Sequence, residues 1–279
     1  LPRLKRLYIE QNLTTKDQQT LDTARKTSED NVASSAKGRR TQQLAESIKA
    51  WIVDQALQPG DRLPSEIDVM ETFDASKSTV RESMRILEAQ GILSTKTGPK
   101  GGVFVSEMSE NKAQALLSNY LFFKDVSISD LYQIRLSLEP EIAASLAGTL
   151  TDEQLARLDQ QIDKYQTPPE DVYQEREHHI ASIEFHSLLA SYSGNELLKF
   201  VVRFTAQMLT ELTIYRKLYE PGNHKLWQTG VQSQRALVEA LRKSDASKAK
   251  QVMEQHMLTA HQLMKKQEAE VANRFLTES

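Results

Sequence analysis

Between residues 41 and 105 the apolar positions first recur with helical spacing and then fall in short runs. In "TQQLAESIKAWIVDQAL", Leu44, Ile48, Ile52 and Leu57 lie near helical intervals, which predicts an amphipathic helix. Pro59 and Gly60 end it, and Pro64-Ser65-Glu66 opens a second helix, "SEIDVMETF". "DAS" is a tight turn, with Ser76 as the N-cap of a third helix that Gly91 stops. "ILSTKT", "GPKGG" and "VFVSE" then predict strand, turn and returning strand. From Glu110 onward the pattern is helical throughout, in seven stretches. "TPPED", "SGN", "EPGN" and "SDAS" separate the later ones, with Asn195 as an N-cap. Pro140 falls inside a helical stretch and predicts a kink or a junction. Residues 1–40 have few apolar positions and predict a mobile arm, with a short helix near Leu4–Ile9.

These elements predict a mainly α protein in four parts. An arm at 1–40 precedes a winged helix-turn-helix domain at 41–106. An all-helical bundle follows at 107–270, then a tail at 271–279. In the winged layout the third helix enters the major groove of DNA. That helix carries Lys77, Arg81 and Arg85 at steps of four beside Val80, Met84 and Leu87, so a basic stripe borders an apolar one. The apolar stripe holds the helix on its domain. The hydroxyls of Ser76, Ser78 and Thr79 and the helix N-terminus suit phosphate oxygens. Lys77 and Arg81 are long enough to reach guanine O6 and N7. The hairpin tip offers Lys100 among glycines that permit close approach to a duplex. The candidate DNA contacts are Arg62, Ser76, Lys77, Ser78, Thr79, Arg81, Lys100 and Gly101.

Bulk charge neither adds to this picture nor removes it. The 279 residues carry a formal charge of −3 and a pI near 6.1, so the signal for nucleic acid is patterning. The arm is mildly basic, with nine Lys/Arg against five Asp/Glu. There is no cysteine, which removes disulfides and thiolate chemistry and fits a cytoplasmic setting. No run of eighteen apolar residues predicts a membrane span, and "LPRLKRLYIEQN" lacks the apolar block of a secretory signal. No nucleophile motif, P-loop or dinucleotide fingerprint supports an enzyme.

"LQPGDRLPSEIDVMETFDASKSTVRESMRILEAQGIL" followed by "GPKGGVFV" resembles the winged-helix signature of the GntR family of bacterial transcription regulators. "LYQIRLSLEPEIAASLA" and "FHSLLASYSGN" resemble the FadR-type subfamily and its C-terminal effector domain, FCD. The resemblance spans about 41–270. Three positions depart from the pattern. Ile67 stands where the family often has Arg, which removes one DNA contact. Lys77 replaces a frequent Arg, keeping the charge but losing the bidentate fork. Asp74 replaces a frequent Gly and tolerates the left-handed turn.

In many FCD domains the resemblance implies a metal held by an Asp and three His. The matching positions here are Ser182, His186, Gln234 and His256. Ser and Gln are poor ligands for zinc-like ions. The expectation is therefore a pocket without a tightly held divalent metal; the alternative is a weak site of His186, His256 and water. His178, His179 and His261 are the nearby substitutes. His178 lies about two turns, roughly 12 Å, from His186, too far for both to share one centre. Arg135 needs an anionic partner inside a bundle. That partner is either Glu139, four residues on, or the carboxylate of an effector.

The expected function is a ligand-responsive bacterial transcription regulator. It binds a palindromic DNA operator as a homodimer. A small organic acid bound among Arg135, Ser182, His186, Gln234 and His256 modulates that binding. The alternatives are a metal-dependent enzyme on a helical bundle and a DNA-binding protein without an effector.

Overall fold

The computed structural model describes residues 38–99, 101–121 and 123–277, with side chains through Val271. Residues 1–37 of the arm, with its expected short helix, and Lys100 lie outside the described residues, while residues 38–40 open the first helix. Chain contacts divide the protein between Ser109 and Glu110 into two compact units.

The N-terminal unit follows the predicted order. Helix α1 (38–54) is followed by α2 (Glu66–Thr72), α3 (Lys77–Ala89), β1 (Leu93–Lys96) and β2 (Gly102–Val105). Local chemistry sets each boundary. Ser65 caps α2 in a capping box with Asp68. Ser76 caps α3 by accepting from the Thr79 backbone N–H. The turn between α2 and α3 passes through Asp74 at φ 45°, and Gly91 at φ 76° ends α3. The strands pair antiparallel, Leu93 opposite Val105 and Lys96 opposite Gly102. Residues 60–63 pair with the other edge of β2 through Gly60, Asp61 and Leu63. Leu44, Ile48, Val69, Val80, Leu87 and Leu93 share the core, and Met84 packs on it. Inside that core the Ser83 hydroxyl donates to the Thr41 carbonyl at 2.8 Å, joining α3 to α1.

The C-terminal unit is a bundle of α4 (Glu110–Leu121), α5 (Ile128–Leu146), α6 (Asp152–Asp163), α7 (Val172–Ser191), α8 (Glu196–Tyr215), α9 (His224–Arg242) and α10 (Ala246–Thr277). The seven predicted helical stretches account for these seven elements. Pro140 marks no junction, because α5 continues through it to Leu146. Helix α5 packs along α10, which also packs on α9; α7 packs on α6 and α8. Phe185, Leu158, Ile162, Leu209 and Leu237 are fully buried at the centre. Each such side chain contributes about 1.5–3 kcal/mol of burial. Polar side chains sit inside the same bundle, and they form the candidate site.

Candidate functional site

The first candidate surface lies on the N-terminal unit. The burial of Val80, Ser83 and Leu87 turns the opposite face of α3 outward. Lys77, Arg81 and Arg85 stand on that face with 63%, 59% and 76% of their side chains exposed. The N-terminal turn of α3 gathers Ser76, Ser78 and Thr79. The Ser76 hydroxyl lies 2.8 Å from that of Thr79 and 3.2 Å from that of Ser78. Arg62 is exposed beside the hairpin, bridged to Phe104. A Cβ on Gly102 would come within 2.7 Å of the Arg62 Nε, and one on Gly101 within 2.5 Å of the Lys96 carbonyl. Glycine at both positions lets the hairpin tip and Arg62 lie close together. Ile67 is exposed on α2, where an arginine would extend the basic face.

One acidic residue on this face escaped the sequence reading. Glu66, at the start of α2, accepts from the Arg81 Nε at 3.0 Å and lies 3.9 Å from the Lys77 ammonium. Its sequence signal was hidden because the pair is fifteen residues apart, outside any helical interval.

The second candidate is a cavity of about 50 Å³ inside the helical unit. Five segments build it. Helix α5 supplies Tyr132 and Arg135; α7 supplies Glu175, His178, His179, Ser182 and His186. Helix α9 supplies Trp227 and Gly230, α10 supplies His256, and Tyr165 follows α6. At roughly 10–15 Å³ for each water-sized group, the space suits about four such groups.

Arg135 is 2% exposed and already paired. Its Nε donates to the Glu139 carboxylate at 2.5 Å, and its guanidinium lies over the Tyr132 ring at 5.2 Å. Of the two expected partners, Glu139 takes one side of this residue, while the Nη2 amino group is buried with no hydrogen-bond partner among the described residues. His178 Nδ1 is in the same position. The second Glu139 oxygen lies 2.5 Å from His186 Nδ1. Burial works to raise the Glu139 pKa, but the Arg135 charge and the hydrogen bonds from His186 and Arg135 reverse this and hold it at about 2.

Burial pushes His186 and His256 below the usual histidine range. His179 is pushed down to about 4 by burial and by the Arg135 charge. These imidazoles are therefore neutral near pH 7. A neutral His186 that donates from Nδ1 to Glu139 must accept at Nε2. The Gln234 amide donates to that nitrogen at 3.2 Å, and His256 Nε2 also lies 3.2 Å from it. The His186 and His256 rings are within 7° of parallel with centroids 5.2 Å apart. Their nitrogens lie far closer than the centroids, so the two rings meet edge to edge, Nε2 toward Nε2.

Gln234 stands one layer behind the cavity wall, fully buried. Its carbonyl accepts from the Tyr165 hydroxyl at 2.5 Å, and its amide donates to the Ser182 hydroxyl at 3.2 Å. Arg135, Ser182, His186 and His256, the other sequence candidates, all line the cavity. Tyr165 and Trp227 were missed. They come together because the Trp227 indole donates to the Tyr165 carbonyl at 2.7 Å, across 62 residues of chain. His261 turns elsewhere, stacking on Tyr132 and bonding Ser129.

This donor set does not fit a tightly held divalent metal. Among the described residues no three His, Cys, Asp or Glu side chains converge as a metal-binding group. Hydroxyl and amide occupy the positions of Ser182 and Gln234, no anion among the four positions offsets a cation, and Glu139 is engaged by Arg135 and His186.

Comparison with known proteins settles the class. Residues 40–105 match the family described as bacterial regulatory proteins, gntR family, and residues 130–259 match the FCD domain. The HTH-type transcriptional regulator LutR of Bacillus subtilis is 31% identical over 155 residues, 56% of this chain and 68% of that protein. The chain belongs to the GntR family. It is a DNA-binding transcription regulator with an FCD domain, which sets aside the enzyme alternative. The Uxu operon regulator of Haemophilus influenzae is 26% identical over 220 residues, 77% of each chain. A solved structure, Streptococcus agalactiae GntR, is 26% identical, covers 80% of this chain and 99% of its own, and superimposes with a TM-score of 0.58. No described helix is long and apolar enough to cross a membrane.

Proposed function

We propose that this GntR-family regulator works in the cytoplasm as a homodimer on a palindromic operator and responds to a small organic acid held in the helical unit. The observation that carries the acid is Arg135. It is buried and fixed by Glu139, and it keeps one amino group with no partner among the described residues in a cavity also lined by His178, His179, Ser182 and His256. A carboxylate oxygen supplies the acceptor that this amino group lacks. Neutral imidazoles and the Ser182 hydroxyl donate to the rest of the anion without requiring a metal.

The DNA reading assigns phosphate contacts to Ser76, Ser78 and Thr79, base contacts to Arg81 and Lys77, and wing contacts to Arg62, Lys100 and Gly101. Two-fold operators match two-fold proteins, since one recognition helix covers only a few base pairs. The bundle at 107–270 supplies dimerisation and effector binding, and the domain at 41–106 supplies DNA binding. The acid biases two dimer arrangements that space the recognition helices differently.

Calorimetric titration of chelator-treated, full-length protein with a panel of two- to six-carbon acids tests the pocket. One-to-one binding by at least one acid is expected, lost in Arg135→Gln. If every acid needs an added divalent cation, the metal-free reading fails. Sedimentation at micromolar concentration tests the dimer, and a monomer that still holds a palindromic duplex tightly contradicts it.

A further inference from the structure

We propose that Glu66 positions Arg81 for base reading and suppresses indiscriminate binding to phosphate. This rests on the reading of α3 as the recognition helix. The Glu66 carboxylate engages Arg81 side-on, through Nε at 3.0 Å. Among the described residues no other acceptor meets that guanidinium. Its two terminal amino groups, the pair that bonds guanine O6 and N7 bidentately, are left free. An arginine tethered at Nε has lost most of the rotamer freedom that a base contact would otherwise have to remove.

Stability does not explain the arrangement. Arg81 and Lys77 are more than half exposed and Glu66 is 35% exposed, so these ion pairs are of the kind that contributes little to folding. The second Glu66 oxygen is buried and makes no hydrogen bond among the described residues, with the Lys77 ammonium 3.9 Å away. That oxygen is a cost to the folded state. A carboxylate between two cations on a DNA-facing surface also cancels part of the charge that sequence-independent binding uses. Glu66 therefore raises the ratio of specific to non-specific affinity by acting on both sides of it.

The test compares full-length wild type with Glu66→Ala, Glu66→Gln and Arg81→Ala. Each is used to select from a randomised duplex library and to titrate one fixed random 30-base-pair duplex. Glu66→Ala is expected to blur the selected motif at the position Arg81 reads while tightening random-duplex binding about two- to fivefold. Glu66→Gln keeps an acceptor for the Nε–H without the charge. It is expected to restore the sharp motif and retain the tighter random binding. Arg81→Ala should weaken both. A sharp motif and unchanged random binding in Glu66→Ala, with the motif lost in Arg81→Ala, would overturn the role of Glu66 and leave the helix reading standing. An intact motif in Arg81→Ala would overturn the helix reading itself, and the role of Glu66 with it. Melting of the variants near the wild-type temperature excludes unfolding as the cause.

Discussion

Arg135 is placed before any ligand arrives. Glu139 holds its Nε, Tyr132 lies beneath its plane, and the carboxylate also engages His186. Removing one member of such a buried pair strands the other. Arg135→Ala is expected to destabilise the protein by about 3–5 kcal/mol, read from urea denaturation. The double variant Arg135→Ala, Glu139→Gln should recover much of that loss, because the stranded charge is gone. A loss below about 1 kcal/mol in the single variant would mean that the pair is solvated. At this scale the sequence was informative where spacing forces contact: Glu139 lies four residues from Arg135 on one helix. It was silent where contact spans elements. Tyr165 to Gln234 and Trp227 to Tyr165 cross 69 and 62 residues, and no local pattern encodes such a meeting.

Among the elements, the winged unit was the more legible, since its boundaries are fixed by short-range chemistry. Ser65 and Ser76 are caps, Asp74 and Gly91 supply positive φ, and the apolar stripe of α3 is buried as its spacing required. Pro140 misled in part, because the tertiary packing of α5 against α10 carries the helix through it. The hairpin makes its own prediction. A Cβ at Gly101 meets the backbone carbonyls of Lys96 at 2.5 Å and Gly98 at 2.8 Å, which cannot move aside as a flexible side chain would. Gly101→Ala should therefore distort the wing and weaken DNA binding, while the helical unit is left unperturbed. Hydrogen exchange resolves the two: faster exchange is expected at 93–105 and none of it in α5–α10. Unchanged wing exchange and wild-type DNA affinity would contradict this.

For the whole molecule, the titratable groups around the cavity set the response to acid. The His179 imidazole is held near 4 against an ordinary 6.5, so the unfolded chain takes up a proton first. Stability from this group is full above about 6.5 and falls as pH drops toward about 4. Glu139, held near 2 against 4.5, adds stability that is present above 4.5 and lost as pH falls through about 2. The urea midpoint is expected to decline in two stages on acidification, with the upper stage reduced in His179→Gln. A midpoint flat from pH 7 to pH 4 would contradict the lowered pKa of that half-buried imidazole.

The proposed acid in the FCD cavity changes DNA binding without a tightly bound metal. The most direct test is the anisotropy of a labelled duplex selected by the protein itself, titrated with chelator-treated protein across a panel of small carboxylic acids. At least one acid is expected to shift the DNA midpoint about five-fold or more, a coupling of about 1 kcal/mol or above, and to lose that effect in Arg135→Gln. A midpoint that no acid moves until a divalent cation is restored would contradict a metal-free effector pocket.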